Sequence, residues 1–361
     1  MVKIINASVS LLRYPLGSAT GGSGITHVDV IICDLETSTG HSGTGFSYVL
    51  GGDGQQVAAI GRSLLANYVV GEGVKHPQLI WRELASSLNR TGRGFGYLAI
   101  AAIDLSVWDL CSKIQGVPLG VAMGGELRSV PVYGSGGFGP SQEPEAAAAQ
   151  ALDYVKRGSP AIKLRFAGDV TDIDRLSAVA DALPPGVGIM ADLNEKANLA
   201  QATHLLNACH DFNLMWIEEP LPSQDINGYK KLAAQSSVPI AVGEHHQGLM
   251  ELAPFFNSQA ISIVQPDLAM MGGLTEALRL ANIAEYFGVS VAPHFLPALF
   301  IHLAAAAPSV CWLEDFPLLE ALFYQPLTFD QSGMMELPKA PGHGLVWLDG
   351  VREEYRLEAD N

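Results

Sequence analysis

The sequence predicts an α/β fold with a closed barrel of parallel strands, and three observations support this prediction. Eight short β-branched runs recur from about residue 130 onward, roughly 20 to 30 residues apart, which is the length of one βα unit. An amphipathic, alanine-rich segment follows each run, and strands that alternate with helices imply a parallel sheet. Eight such units fit a closed barrel better than an open sheet, and no dinucleotide-binding glycine motif follows the first strand.

The N-terminal part differs in character and predicts an α+β domain over about the first 125 residues. Strands are expected at 2–12 and 28–36, where residues alternate or run apolar. The glycine-rich stretches 15–27 and 48–54 are expected to be mobile loops. A helix is expected over 97–116, because its apolar residues form one stripe that ends at a glycine followed by a proline.

The barrel strands are expected at eight places, each ending near a polar residue. The last ~35 residues return to loops and strands, and we expect them to rejoin the N-terminal domain. The eight predicted strands cover residues 130–135, 161–166, 188–194, 214–220, 239–245, 261–267, 289–294 and 311–317.

The composition excludes some classes of partner and favours a well-packed globular protein. The hydrophobic share is 48%, the charged share is 16% and the formal net charge is −16. Nucleic acids and anionic membranes require a basic surface, so neither is expected as a main partner. Four widely spaced cysteines without a CxxC pair predict reduced thiols and a cytoplasmic location. An uninterrupted apolar run of about 18 residues is lacking, so no membrane span is expected.

The polar residues at the strand ends are the candidate functional residues, since a barrel enzyme has its active site at that end of the strands. One such residue alone is typical of a turn or a helix cap, but a complete series is not expected by chance. The series is Ser135, Lys163, Arg165, Asp192, Asn194, Glu218, Glu219, Glu244, Asp267, His294 and Glu314.

Three of these residues predict a metal site. Asp192, Glu218 and Glu244 follow one another at intervals of 26 residues, one βα unit each, so their side chains should converge. Three carboxylates share a low-dielectric pocket only when a cation neutralises them, and an oxygen-only ligand set with open positions suits Mg²⁺. The alternative is three separate solvated carboxylates. Glu219 faces away from Glu218 and is expected to be structural.

Two further pairs predict acid–base and electrostatic roles. Asp267 and His294 end neighbouring strands, and a carboxylate bonded to an imidazole makes the histidine a general base. His245, His246 and His302 are expected to be satisfied core or surface groups. Lys163 and Arg165 share one face of their strand, and that face is expected to point into the barrel mouth.

In this order, these residues resemble the enolase superfamily, specifically its mandelate racemase branch. The resemblance includes "AIAAIDLSVWDL", "GVPLGVAMGG", "AIKLR", "MADLN", "WIEEP", "VGE", "VQPD", "APH", "LEDFP" and "PGHGL". It implies a (β/α)7β barrel at 128–325, an α+β capping domain at 1–127 with specificity loops at 15–27 and 48–54, and a C-terminal segment, 326–361, that packs on the cap. It also implies abstraction of the proton α to a carboxylate and an enediolate stabilised by Mg²⁺.

The resemblance assigns a role to each candidate residue. Asp192, Glu218 and Glu244 match the metal ligands, and Asp267 with His294 matches the base. The substrate's carboxylate is expected at Lys163, the first lysine of the family's KxK motif, and at Glu314. Ser135 and Asn194 match substrate-contacting positions. A symmetric homo-oligomer is the family-level expectation.

One position departs from the family pattern and favours one reaction. Arg165 stands where the KxK motif has a second lysine, the base opposite the histidine, and guanidinium stays protonated in nearly all proteins. A two-base racemisation therefore loses a base, whereas a one-base dehydration of a sugar acid to a 2-keto-3-deoxy acid does not. The alternatives are an epimerase, a racemase or a lactone cycloisomerase on the same scaffold, and a non-catalytic barrel that binds a metal or a carboxylate.

Overall fold

The computed structural model describes residues 2–17, 24–324 and 329–357, and its N-terminal part is an antiparallel sheet covered by helices. The strands β1 (Ile4–Pro15), β2 (His27–Thr37) and β3 (Ser42–Leu50) pair in that order. The helices α1 (Gly54–Tyr68) and α3 (Gly94–Gln115) pack on the sheet, and α2 (Pro77–Ser87) packs on α3. This part of the chain is the predicted α+β unit.

The helix α3 is the core element of this unit, and nearly all of its surface is buried. It ends at Gly116, whose φ of 71° is the left-handed conformation that glycine favours. Gly45 on β3 lies so close that an added Cβ would be 2.2 Å from the backbone nitrogen of Ser106, so a larger residue cannot occupy that position. By length and composition α3 could cross a membrane, but 89% of its most apolar stretch of 18 residues is buried inside the protein, as in a core helix.

Eight parallel strands form the barrel, and a helix follows each of the first seven. The short helix α4 (Leu119–Ala122) precedes the barrel. The strands are β4 (Ser129–Gly134), β5 (Ala161–Arg165), β6 (Gly188–Asp192), β7 (Ile217–Glu218), β8 (Ile240–Val242), β9 (Ile263–Val264), β10 (Ser290–Val291) and β11 (Leu313–Asp315). The helices are α5 (Pro144–Lys156), α6 (Thr171–Ala182), α7 (Leu199–Ala208), α8 (Ile226–Ala233), α9 (Leu249–Ser258), α10 (Leu274–Phe287) and α11 (Pro297–Ala306).

The strands pair in sequence order from β4 to β10, and β11 pairs with β4. A parallel bridge between Val291 and Val310 connects the two ends and closes the barrel. A layer of buried side chains fills the interior: Tyr133, Ala161, Met190, Trp216, Ala241, Ile263 and Ala292. The predicted (β/α)7β barrel with an N-terminal α+β cap is therefore confirmed.

The C-terminal segment returns to the cap. The strand β13 (Met334–Glu336) pairs with β4, and β14 (Val346–Trp347) pairs with β12 (Phe323–Tyr324). The helix α12 (Val351–Glu354) then brings the chain back to β1, where the amide of Arg13 donates to the carbonyl of Tyr355. These contacts agree with the expected return, while the boundaries after residues 127 and 325 stay predictions. Three 3-10 turns complete the described elements, at Leu88–Arg90, His210–Phe212 and Glu320–Leu322.

The sequence prediction needs one correction in the cap. The stretch 48–54 is not a loop throughout, because β3 continues to Leu50 and α1 begins at Gly54. Glycines in β3 hide its alternation of small and apolar residues, so the sequence did not predict this strand. The helices α1 and α2 were not predicted either. In the stretch 15–27, Pro15 ends β1 and His27 begins β2, while 18–23 lie outside the described residues.

Candidate active site

Lys163 is the central cation of the barrel mouth, and its ammonium is almost fully buried. Its side chain is 3% exposed, and Nζ lies 2.8 Å from both carboxylate oxygens of Glu218 and 2.7 Å from Oε1 of Glu314. Asp192 Oδ2 is 3.7 Å away. Burial opposes the charge on Lys163, but the surrounding carboxylates, Glu218 foremost, raise its pKa well above the ordinary value. The Lys163 side chain therefore points into the barrel mouth, as predicted.

Arg165 lies on the same face and beside the carboxylate of Asp192. Its Nη1 is 2.9 Å from Asp192 Oδ2, yet that oxygen has no donor in hydrogen-bonding geometry among the described residues. Burial opposes the charge of Arg165, but Asp192 and Glu244 raise its pKa above the ordinary value. Arg165 is therefore a fixed positive charge and does not act as a base.

The three predicted metal ligands follow neighbouring strands at the same end of the barrel. Asp192 ends β6, Glu218 ends β7 and Glu244 comes two residues after β8. Their side chains are 1%, 1% and 9% exposed. Asn194 lies next to them, because its side-chain amide donates to Glu244 Oε1 at 2.9 Å and its backbone amide donates to Asp192 Oδ1 at 2.8 Å.

The charge balance of this region fits a divalent cation. Five carboxylates lie around two permanent cations, Lys163 and Arg165. Those of Asp192, Glu218, Asp267 and Glu314 are buried, and that of Glu244 is half-buried. Burial raises the pKa of Glu218 well above its usual range, and the neighbouring carboxylates of Asp192 and Glu244 add to this, although Lys163 opposes it. An orphaned oxygen on Asp192 and an excess of carboxylate charge are what a hard cation would satisfy.

A second acidic group lies beside these ligands. Ligand atoms of Glu195, Glu219 and His245 all lie within 4.8 Å of one another. This group is tighter than the predicted metal ligands, because the ammonium of Lys163 lies between Glu218 and Asp192. Glu219 is fully buried and accepts a hydrogen bond from His245 at 2.6 Å. Burial and the charge of Glu244 raise the pKa of Glu219 to about 7, despite His245.

Asp267 and His294 form the predicted dyad. His294 Nδ1 lies 2.9 Å from Asp267 Oδ2, and the opposite ring nitrogen, Nε2, lies 3.3 Å from Glu244 Oε2. The backbone amide of Met270 donates to the other Asp267 oxygen at 2.9 Å, which fixes the carboxylate. Burial opposes the charge of His294, but Glu244 and Asp267 raise its pKa to about 10. Asp267 thus holds the imidazole at Nδ1, and the other ring nitrogen, Nε2, faces the barrel mouth.

Tyr48 belongs to the candidate site through its contact with Asp267, and the sequence prediction did not include it. Its hydroxyl donates to Asp267 Oδ2, the same oxygen that holds His294, although Tyr48 belongs to β3 of the cap. Its ring also contacts Phe295 edge-on, with centroids 4.9 Å apart. Because the two residues are far apart in sequence, their contact depends on how the cap sits on the barrel.

A cavity of about 200 Å³ opens above these residues. Four predicted site residues line it, namely Arg165, Asn194, Glu244 and His294, while Lys163, Glu218 and Glu314 lie buried behind them. Ser135 is buried at the end of β4, outside the cavity lining, and its amide donates to the carbonyl of Asp315. The cavity is completed by His245, Phe295, Leu16, Ile25, Leu50, Phe316 and Leu318.

His245 was predicted to be an ordinary surface or core group, but it lines the cavity and forms a second carboxylate–imidazole pair with Glu219. The signal was its position directly after Glu244. His246 and His302 agree with the prediction, since both are buried and bonded to backbone groups.

The backbone at the strand ends is unusual. Five non-glycine residues just after barrel strands have positive φ angles: Asn194, Glu195, Glu219, Phe295 and Leu296. Such conformations are costly and cluster at functional sites, where the surrounding structure enforces them. Of these five residues, Asn194 and Phe295 line the cavity described above.

Comparisons with known proteins agree with this geometry. A family model described as the mandelate racemase / muconate lactonizing enzyme N-terminal domain matches residues 2–124, and one described as enolase C-terminal domain-like matches residues 146–351. The L-talarate/galactarate dehydratase of Salmonella typhimurium is 32% identical over 343 residues, which cover 93% of this chain and 85% of that protein. The 3,6-anhydro-alpha-L-galactonate cycloisomerase of Streptomyces coelicolor is 29% identical and covers 93% and 94% of the two chains.

A solved structure gives the same result for the fold. The crystal structure of L-talarate dehydratase from Polaromonas sp. JS666, complexed with Mg and L-glucarate, matches with a TM-score of 0.92 at 32% identity. The match covers 99% of this chain and 98% of that one. The resemblance inferred from the strand-end residues is therefore confirmed.

Proposed function

Because this chain belongs to the mandelate racemase and muconate lactonizing enzyme family, we propose that it is a Mg²⁺-dependent dehydratase of a sugar acid. The observation that carries the proposal is the pairing of one complete base, Asp267–His294, with an arginine at the place of the second base. Relatives named as sugar acid dehydratases and a relative whose structure holds Mg support the same choice.

The proposed reaction uses one histidine twice. His294 Nε2 takes the proton from the α-carbon, and the C–H electron pair passes into the enediolate. The electron pair then expels the β-hydroxyl, which leaves as water with the proton that His294 returns. The resulting enol becomes a 2-keto-3-deoxy acid, so atoms and charge balance without another reactant.

The other residues offset charge and hold the substrate. Asp192, Glu218 and Glu244 would hold Mg²⁺, which supplies positive charge beside the developing enediolate. Lys163 and Arg165 add fixed positive charge. Glu314 lies beside Lys163, and in its protonated form it would donate a hydrogen bond to the substrate's carboxylate. Asp267 keeps the His294 ring in one orientation and stabilises its protonated form.

The test is turnover of an acid-sugar library with Mg²⁺ in D₂O, followed by mass spectrometry for loss of water and by NMR for α-deuterium. We expect a 2-keto-3-deoxy product, and His294→Asn should lower kcat by about 100-fold to 10,000-fold. The matched control is His210→Asn, since His210 is 68% exposed and distant in sequence from the site. If no acid loses water or exchanges its α-proton, the proposal is wrong.

An epimerase, racemase or cycloisomerase is the second candidate, because two relatives are named as cycloisomerases. α-Proton exchange without loss of water would favour an epimerase. Arg165→Lys separates the roles of Arg165, since a racemase that needs a second base should keep or gain activity with lysine. An electrostatic role predicts lower activity, because lysine lacks the planar fork that meets Asp192.

The non-catalytic alternative, a barrel that binds a carboxylate or a metal, predicts equal inertness of wild type and His294→Asn across the library. The homo-oligomer and the cytoplasmic location stay predictions, and size-exclusion chromatography with light scattering tests the first.

A further inference from the structure

The cavity has two walls of different chemistry. The wall formed by the strand ends is polar and contains Arg165, Asn194, Glu244, His245 and His294. The opposite wall is apolar, and it combines residues from the cap with residues after β11: Leu16, Ile25, Leu50, Phe316 and Leu318. In the proposed reaction the α-carbon lies at His294 and the carboxylate on the polar wall, so the far end of the substrate would meet the apolar wall.

Positive charge is missing from the described residues of the apolar wall. Leu16, Ile25, Leu50, Phe316 and Leu318 are all uncharged. Next to them in the sequence, no side chain between Leu16 and Thr26 is ionisable, and between Val49 and Gly54 only Asp53 is. A second carboxylate at the far end would therefore lack a cationic partner from this wall.

The cationic groups of the polar wall are already engaged. His245 is bonded to Glu219 and His294 to Asp267. Arg165 is the one permanently charged cation among the described residues that line the cavity, and it lies 2.9 Å from Asp192. Behind it, Lys163 contacts Glu218 and Glu314 at 2.7–2.8 Å. Arg13, at the end of the cap strand, is paired with the buried Asp29 at 2.7 Å. None of these groups is available to a distant second carboxylate.

We propose that the substrate is a monocarboxylic sugar acid with an apolar terminal group, such as the methyl group of a deoxy sugar acid, rather than a dicarboxylic sugar acid. Burying a methyl group against leucine and phenylalanine is favourable, whereas burying an unpaired carboxylate there is strongly unfavourable. Leu16, Leu50 and Leu318 are then the residues that determine specificity. This inference rests on the proposed function and selects among its substrates.

The test compares three acids of one configuration that differ at the terminal carbon, which is CH₃, CH₂OH or COO⁻. We expect the methyl-terminated acid to have the highest kcat/KM and the dicarboxylic acid to be at least 100-fold lower. Leu50→Arg should raise kcat/KM for the dicarboxylic acid at least tenfold and lower it for the methyl-terminated acid. Leu50 is 42% exposed, so this variant should fold.

The matched control is Leu127→Arg, which adds the same charge at a residue that is 63% exposed and does not line the cavity. It should leave the order of the three acids unchanged. Efficient turnover of the dicarboxylic acid by the wild type would overturn this inference and leave the dehydratase proposal standing. An absence of turnover and of α-proton exchange with all three acids, in every configuration, would overturn the dehydratase proposal itself.

Discussion

The hydroxyl of Tyr48 connects the cap to the Asp267–His294 pair, and Tyr48→Phe removes that connection and keeps the ring. Tyr48 is 3% exposed, and its hydroxyl donates to the Asp267 oxygen that holds His294. Phenylalanine keeps the ring and its edge-on contact with Phe295. The variant therefore tests one charge-assisted hydrogen bond without opening a cavity.

The expected cost follows from the charge and burial of the acceptor. Hydrogen bonds to charged groups contribute about 1.5–3 kcal/mol, against about 0.5–1.5 kcal/mol for neutral pairs. For a loss of about 2 kcal/mol, the Tm of a chain of 361 residues should fall by about 3 °C. Asp267 would also hold His294 less rigidly, and we expect kcat to fall about tenfold, which corresponds to about 1.4 kcal/mol.

The control is Tyr229→Phe, because Tyr229 is equally buried but donates to the neutral carbonyl of Leu221 at 2.6 Å. Urea denaturation gives the free energies of unfolding, and dehydration assays give kcat. The reasoning is refuted if both variants lose the same stability and Tyr48→Phe keeps full activity.

Two further predictions concern pH and metal. His302 is fully buried, and this burial lowers its pKa to about 4. Between pH 7 and pH 5 the unfolded chain therefore gains a proton at this residue that the folded chain does not. The contribution of His302 to the free energy of unfolding is present above the unfolded pKa of about 6.5, and it should fall by about 2 kcal/mol over this range. Urea denaturation of His302→Gln should show a smaller pH dependence, and an unchanged one would contradict this. For the metal site, Mg²⁺ at 100 times its Kd should stabilise the protein by about 2.7 kcal/mol in a thermal shift assay, and Glu218→Gln should reduce this markedly.

The sequence determined the barrel and most of the site because both depend on local patterns. Each strand of a parallel barrel is a short buried run, and its carboxyl end lies at the same rim as the others, so order along the chain becomes proximity in space. Asp192, Glu218 and Glu244 followed from one regular interval, and Lys163 with Arg165 followed from the alternation of one strand.

The tertiary structure alone decided what depends on contacts between distant segments. Tyr48 meets Asp267, and Leu16 and Leu50 reach the cavity, because the cap packs over the barrel mouth. His245 contacts Glu219, whose backbone has a positive φ, and the sequence pattern does not predict that conformation. Such contacts follow from the packing of whole elements, which leaves no periodic mark in the sequence. The apolar wall of the cavity belongs to this second class, since its residues come from segments that are distant in the sequence.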